Sequence, residues 1–342
     1  MVIPLALDLF LWLAPPLSVK TILDRLVVVW EALVKGTYPP DQVAAMSEML
    51  PDLQRVATQV GAEINLLYYL TGSWPGAPSA LVAPQSARLT FVSDMIFAPV
   101  GLSMQLRRIA PAPWQQGPLE VESVWVAVLL AALFWLIGQA IVTVYLRWAA
   151  TRPADDSEET DARDKWSGLK GLLLLFGNVV ALSLILGGVM MVLRVPLGVL
   201  LTVIYLTGSS GGAVLFAVIG GITLWVILWF LTSLYFASEV ILLDQQSVLR
   251  SVMLSIKMVR FQSLPIIGLA VLVNLVMLGF RAVWGSIGQN PAGAVLAMAG
   301  NAYLGTSMIL GIFTYYQDRR RLHEALIAQS RRQNSLRNQL KD

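Results

Sequence analysis

The composition of this chain of 342 residues excludes an ordinary soluble domain, because 56% of its residues are hydrophobic and only 13% are charged, against about a quarter charged in soluble proteins. The net charge is +3, and no continuous basic face of the kind that nucleic-acid binding needs can be found, so we do not expect nucleic acid as a partner. Cysteine is absent, which removes disulfides, thiolate nucleophiles and cysteine metal sites.

Residues 1–18 are predicted to form an N-terminal membrane segment. The run lacks the basic n-region and the small-x-small cleavage site of a signal peptide, so we interpret it as retained. It approaches the roughly 20 apolar residues that a crossing helix requires, but it contains Asp8 and the pair Pro15-Pro16. The sequence leaves open whether it crosses fully, and Asp8 is a candidate intramembrane charged site.

Residues 19–121 are predicted to form a helical cap on the outer side of the membrane. Apolar residues recur at helical spacing from Ser18, a suitable N-cap, up to Gly36. A second periodic pattern covers 43–67, and Pro51 is expected to begin a new helix there, since proline is accommodated in a first turn. The two patterns indicate helices paired along an apolar seam.

Residues 89–106 resemble a further crossing segment in hydropathy. They contain Asp94 and Pro99, and a crossing here would move every later basic loop to the outer side. We therefore expect an amphipathic or partly buried element of the cap.

Residues 122–316 are predicted to form a transmembrane helical bundle. Its apolar runs are long enough to cross a bilayer and lie at 124–146, 171–193, 211–238, 264–280 and 294–316. With the N-terminal segment they give an all-α polytopic bundle of about six spans. The apolar stretch at 196–210 is too short to cross and predicts a separate helix, either at the outer surface or broken so that it lines a transport site.

Two polar or amphipathic segments interrupt the bundle. The loop 148–169 is acidic and polar, which is typical of a solvated linker, and it lacks the spacing of a calcium loop. Residues 244–262 predict an interfacial helix that would place Val248 and Val259 on one face and Ser251 with the basic residues on the others.

The distribution of basic residues predicts the orientation. Lysine and arginine are concentrated after residue 146, after residue 239 and in the tail, and alternate loops are poor in them. Because basic loops mark the cytoplasmic side, we expect both termini in the cytoplasm, the cap outside, and a basic cytoplasmic C-terminal helix at 317–342. The expected location is a bacterial cytoplasmic (inner) membrane.

The basic interfacial segments are expected to contact anionic lipid headgroups. The candidate contacts are Arg250, Lys257, Arg260, Arg319, Arg320 and Arg321.

No arrangement of residues typical of catalysis is found. His323, the one histidine, is expected to face solvent on the tail helix, and neither a nucleophile elbow nor a phosphate-binding loop is present. We therefore predict no enzymatic activity, no cofactor and no metal. The second candidate intramembrane charged site is Glu239, which would titrate, bind a cation, pair with Arg260 or extend to the interface.

The stretch SLYFASEVILLDQQSVLRSVMLSIKMVRFQSLPIIGLAVLVNLVMLGF, residues 233–280, resembles the membrane domain found with some bacterial glycerophosphoryl diester phosphodiesterases and in related stand-alone proteins. The resemblance covers about residues 170–320 and implies a membrane helix, an amphipathic interfacial helix and a further span in succession. The closing GNAYLGTSMILGIFTYYQDR and the opening LDLFLWLAPPLS are similar to stand-alone bacterial membrane proteins. The catalytic phosphodiesterase domain has no counterpart here, so the resemblance implies no catalytic residue.

These observations lead us to expect a non-enzymatic membrane scaffold or accessory subunit with protein partners at the cap and the tail. One alternative is a transporter or permease component that uses the segment 196–210 and Glu239. A second alternative is a protein that binds or handles membrane lipids at the basic interfacial helix.

Overall fold

The computed structural model describes residues 1–37, 39, 43, 50–63, 65–71, 117–151, 168–207 and 210–339. The predicted element at 89–106 and most of the predicted acidic loop lie outside these residues. The all-α class is confirmed. The elements are α1 (Val2–Leu13), β1 (Leu17–Ser18), α2 (Lys20–Thr37), α3 (Leu50–Glu63), a 3-10 helix (Leu66–Thr71), β2 (Leu119–Glu120), α4 (Val124–Ala150), α5 (Gly168–Thr207), α6 (Ser210–Ser233), α7 (Ala237–Leu243), α8 (Val248–Phe261), α9 (Ser263–Ile287) and α10 (Pro291–Gln339).

The membrane class is also supported by helix length and composition. In the part of the chain that the structure describes, three helical segments are long and apolar enough to cross a bilayer: Val124–Ala150, Gly168–Val189 and Pro291–Leu326. The sharply bent pair formed by α8 and Ser263–Val273 would raise the number to four if it counted as one span.

The chain divides into two compact units. The first contains Met1–Val142 and Leu275–Gly305, and the second contains Thr143–Asn274 and Thr306–Asp342. Helices α4, α9 and α10 contribute one end to each unit.

In the first unit, α2 and α3 pack against each other, as the predicted seam requires. The Ser18 hydroxyl accepts a hydrogen bond from the backbone N–H of Lys20 at 3.2 Å and donates one to the carbonyl oxygen of Gly61 at 2.8 Å. A Cβ atom at Gly61 would lie 2.6 Å from the Cα of Lys20, so glycine permits this close approach. Pro51 occupies the first turn of α3, which confirms its predicted role.

Two short strands join distant parts of the first unit. β1 and β2 pair in parallel, with Leu17 opposite Leu119 and Ser18 opposite Glu120. The side-chain oxygen of Asn65 accepts hydrogen bonds from the backbone N–H of Leu17 at 2.9 Å and from that of Leu67 at 3.1 Å. One amide side chain thus fixes the chain after α1 to the start of the 3-10 helix.

Helix α1 does not cross a bilayer by itself. It has 12 residues and is therefore about 18 Å long, whereas the hydrocarbon core is about 30 Å thick. Leu7 and Leu11 pack with the 3-10 helix, and Leu5 and Leu9 pack against residues at the start of α10. The helix ends before Pro15-Pro16, because the residue before a proline is disfavoured in a helical conformation.

The separate helix predicted at 196–210 is wrong. α5 is a single helix of 40 residues, Gly168–Thr207, that continues through Pro196, and residues 208–209 lie outside the described part. A proline removes one backbone hydrogen bond, but membrane helices accommodate it when neighbouring groups satisfy the carbonyl that it leaves. The shortness of the apolar stretch at 196–210 therefore predicted a separate helix, whereas α5 continues without a break to Thr207.

The helices that follow α5 end differently from their predicted bounds. α6 ends at Ser233 rather than at 238, and a short turn leads into α7. A helix, α8, lies within the predicted segment 244–262 with Val248 and Val259 buried, but Ser251 is buried with them rather than on the polar face. The predicted last span and the predicted tail helix are one helix, α10, of 49 residues.

Candidate functional site

A group of polar side chains lies in the second unit, near the consecutive ends of α6, α7 and α8. We call Tyr235, Glu239, Asp244, Tyr316 and Arg320 the junction cluster. Glu239 is fully buried and Tyr235 is nearly so. Buried polar groups in an apolar chain are candidates for function because they are costly to desolvate.

The backbone of the junction is satisfied by a serine from α8. The Ser255 hydroxyl donates a hydrogen bond to the carbonyl oxygen of Ser233 at 2.9 Å and accepts one from the backbone N–H of Phe236 at 3.2 Å. These two groups belong to a helix end and a turn, where intrahelical partners are missing. Ser255 therefore stabilises the end of α6 and holds α8 against it. Gln245, between α7 and α8, has a φ of +54° and so lies in the left-handed region of backbone conformation.

Asp244, which follows α7, is bound by two side chains of α10. The Tyr316 hydroxyl donates to Asp244 Oδ2 at 2.7 Å, and Arg320 Nη1 donates to Asp244 Oδ1. Tyr316 and Arg320 are one helical turn apart and so share a face. Hydrogen bonds to a carboxylate are shorter and stronger than neutral ones. We call these three residues the Asp244 clasp, and it fixes the corner between α7 and α8 to α10.

Arg320 of the clasp has a second carboxylate partner on α10. Arg320 Nε also donates to Glu324 Oε1 at 3.0 Å. Arg320 therefore binds two carboxylates, one from a distant part of the chain and one from the next turn of its own helix. Its exposed fraction is 36%, against 12% for the Asp244 side chain, so the carboxylate of Asp244 is the more shielded end of the pair.

Glu239 lies on α7, outside the candidate spans. Its Oε2 accepts a hydrogen bond from the Ser238 hydroxyl at 2.7 Å, whereas Oε1 has no hydrogen-bond partner among the residues that the structure describes. Burial raises the pKa of Glu239 from its ordinary value of 4.5 to about 7, and the hydrogen bond from Ser238 opposes this rise. The phenol groups of Tyr235 and Tyr316 lie within its electrostatic range. The carboxyl is therefore poised to gain or lose a proton near neutral pH.

The two candidate intramembrane charged sites are both buried, each within its own unit. Asp8 is fully buried in α1 and belongs to the first unit, whereas Glu239 belongs to the second. Glu239 makes no ion pair with Arg260 among the described residues, and Arg260 is exposed. Extension of Glu239 to the interface is wrong, because its side chain is fully buried.

The candidate lipid-contacting cations fall into two groups. Arg250, Lys257 and Arg260 are exposed on α8. On α10, Arg321 is exposed, the guanidinium carbon of Arg319 lies 4.9 Å from the ring centroid of Tyr315, and Arg320 binds Asp244 rather than pointing only to lipid. His323 packs edge-on against Phe261, with ring centroids 5.5 Å apart.

Sequence reasoning missed Asp244 and Tyr316. The available signal was an acidic residue at the end of an apolar run, together with a tyrosine and an arginine four residues apart at the boundary of the last apolar segment. Neither feature specifies a partner by itself, since the two hydrogen bonds join positions more than 70 residues apart.

The junction cluster contains carboxyl, phenol and guanidinium groups. Across the described ranges, no group of three or more His, Cys, Asp or Glu side chains is placed to hold a metal ion. The arrangement suits two tasks: holding helices together through the Asp244 clasp and taking up a proton at Glu239.

Comparison with protein-family models, with curated proteins and with solved structures gave no match for this chain.

Proposed function

We propose that this chain is a non-enzymatic integral membrane scaffold or accessory subunit. Its partner surface is the C-terminal arm, which we define as Arg321–Gln339 of α10. The observation that carries the proposal is the Asp244 clasp, which fixes α10 at Tyr316 and Arg320, immediately before the arm begins. Because α10 has no break between its apolar part and the arm, the clasp sets the direction in which the arm leaves the bundle.

The length of α10 supports this division. The helix has 49 residues and is about 73 Å long, more than twice the roughly 30 Å of hydrocarbon that a span crosses. The arm accounts for about 28 Å of it at 1.5 Å per residue. Leu322 and Leu326 are exposed on the arm, so apolar contact area is available to a partner protein.

The proposed topology has five crossing helices: α4, α5, α6, α9 and α10. We add α6 and α9 to the three candidate spans, because their 24 and 25 residues give lengths of about 36 Å and 38 Å, which are enough to cross. Because α1 is too short, residues 1–123 and the cap are assigned to the outer side, and the basic loops and the arm to the cytoplasmic side. This topology does not include the N-terminal span that the sequence predicted. Residue 1 is therefore assigned to the outer side instead of the cytoplasm. The proposed location is a bacterial inner membrane.

Site-specific photo-crosslinking in native membranes tests the scaffold proposal. A photoreactive residue at Leu322 or at Leu326 should give one adduct with the same partner protein, because both positions are exposed on the arm. Leu249, exposed on α8, is the matched control and should give no protein adduct. The proposal fails if neither arm position yields a protein adduct, or if Leu249 yields the same one.

A second candidate function is proton-coupled transport, favoured by the buried Glu239 carboxyl and its unsatisfied Oε1. The other feature expected for transport, a broken helix at 196–210, is replaced by the continuous α5. Proton flux into proteoliposomes, driven by a valinomycin-clamped potassium gradient, separates the two candidates. A transporter should conduct protons and lose this with Glu239→Gln. A scaffold should show no flux above that of protein-free liposomes.

A further inference from the structure

Helix α8 lies nearly perpendicular to the helix that follows it. α8 and Ser263–Val273, the first part of α9, meet at 102° across Gln262. Since α9 is proposed to cross the bilayer, a helix at this angle runs along the membrane surface. Amphipathic helices in this position place polar and apolar residues at the boundary of headgroups and acyl chains.

The outward face of α8 combines cations with large apolar side chains. Leu249, Met253, Lys257 and Arg260 follow one another at spacings of four, four and three residues, which places them on one side of the helix. Leu249 is 74% exposed and Met253 60% exposed. The opposite side, which contains Val248, Ser251, Ser255 and Val259, is buried. The exposed side therefore has no partner within the described part of the chain except at its end.

The end of α8 fixes the depth of the helix in the membrane. Phe261 packs edge-on against His323 of α10, with ring centroids 5.5 Å apart. At this level α10 changes from buried apolar residues to Arg319, Arg320 and Arg321. A change from aromatic to cationic residues along a crossing helix marks the headgroup region. Lys257 and Arg260 therefore lie at the depth of lipid phosphates.

We propose that the outward face of α8 binds the headgroups of anionic phospholipids, with Lys257 and Arg260 contacting phosphate and Leu249 and Met253 contacting acyl chains. The orientation of α8 favours lipid over a protein partner, because the cations and the exposed apolar side chains share a face that runs along the bilayer. Long basic side chains keep their charge at the phosphates while their methylenes lie on apolar surface. This property rests on the proposed crossing of α9, but it does not depend on the arm or on a protein partner.

Native mass spectrometry of the delipidated, detergent-solubilised protein tests this proposal. Dioleoyl phosphatidylglycerol is titrated in parallel with dioleoyl phosphatidylcholine, and we expect the anionic lipid to bind more tightly. Each basic residue near an anionic surface strengthens binding roughly fivefold, so Lys257→Gln/Arg260→Gln should weaken phosphatidylglycerol binding about 30-fold. The single variants should each weaken it about fivefold.

The control variant is Arg25→Gln/Lys35→Gln, which removes two exposed cations of the cap. Both double variants lower the net charge from +3 to +1, since each removes two positive charges, so a non-specific charge effect would weaken binding equally in both. The exchange Lys257→Arg/Arg260→Lys should bind like the wild type. The proposal is overturned if the α8 variants bind phosphatidylglycerol as the wild type does, if the cap variant loses as much, or if millimolar inorganic phosphate displaces the lipid.

Discussion

Removing the Tyr316 hydroxyl tests the stabilising role of the Asp244 clasp. Tyr316→Phe keeps the aromatic ring, so no large cavity forms, but it removes the 2.7 Å hydrogen bond to Asp244 Oδ2. The acceptor is a carboxylate whose side chain is only 12% exposed. Hydrogen bonds to charged groups contribute about 1.5–3 kcal/mol, and we expect Tyr316→Phe to lower the free energy of unfolding by about 2 kcal/mol.

Arg320 makes a smaller expected contribution to the clasp. Its side chain is 36% exposed, so solvent screens its attraction to Asp244, and ion pairs of this kind contribute about 1 kcal/mol or less. A double-mutant cycle between Tyr316→Phe and Asp244→Asn should give a coupling energy of about 1 kcal/mol or more, because the two groups are in direct contact.

The assay is unfolding of the purified protein in maltoside micelles titrated with sodium dodecyl sulfate, followed by circular dichroism. Tyr315→Phe is the matched control, since the Tyr315 hydroxyl is buried without a hydrogen-bond partner among the described residues. The role assigned to the clasp would be refuted if Tyr316→Phe were no more destabilising than Tyr315→Phe, or if the coupling energy to Asp244 were zero.

Three further predictions concern glycine packing, the amide of the cap and the pH dependence. A Cβ atom at Gly300 would lie 2.4 Å from the Trp284 ring, whereas a Cβ atom at Gly311 would meet nothing within 4 Å. In thermal unfolding, Gly300→Ala should therefore destabilise the protein by about 1–3 kcal/mol, while Gly311→Ala should be neutral. Asn65→Ala leaves two backbone N–H groups without their acceptor and should cost about 1–3 kcal/mol, whereas Asn65→Asp, which keeps the acceptor, should cost less in the same assay. Burial raises the pKa of Glu239 from 4.5 to about 7, so between these pH values the folded state holds a proton that the unfolded state releases. The contribution of the protonated Glu239 carboxyl to stability should therefore be complete below pH 4.5 and be lost as pH rises to about 7. Glu239→Gln should remove this slope in unfolding measured between pH 4.5 and 8, and a slope that persists unchanged would contradict the assignment.

Long apolar runs predicted the helices well because membrane helices satisfy all their backbone groups internally. The run at 124–146 lies wholly within α4, and the amphipathic pattern at 244–262 contains α8. The pairing of α2 with α3 followed from periodicity and from Pro51. In each case the local pattern and the tertiary structure require the same conformation.

Helix ends were predicted less well because long-range contacts determine them. The apolar run that contains α6 continues past Ser233, and hydropathy gives no sign of the break there. The break depends on Ser255, 22 residues further along the chain, whose hydroxyl binds the Ser233 carbonyl. At 196–210 the opposite occurs: the short apolar stretch predicted a separate helix, and α5 continues to Thr207.

The Asp244 clasp was beyond sequence reasoning for the same reason. Asp244 and Arg320 are separated by 76 residues, and the sequence alone also allows Arg320 to contact lipid. The sequence left several alternatives open for Glu239, and pairing with Arg260 was one of them. Arg260 is exposed while Glu239 is fully buried.

The proposed scaffold requires the cap on the outer face of the membrane and the arm on the cytoplasmic face. The chain contains no cysteine, so single cysteines can be introduced without altering any native thiol. Lys35→Cys and Leu326→Cys place a thiol at exposed positions of the cap and the arm. A membrane-impermeant maleimide should label Lys35→Cys in intact spheroplasts and Leu326→Cys only after permeabilisation; labelling of both before permeabilisation, or of neither, would contradict the proposed topology.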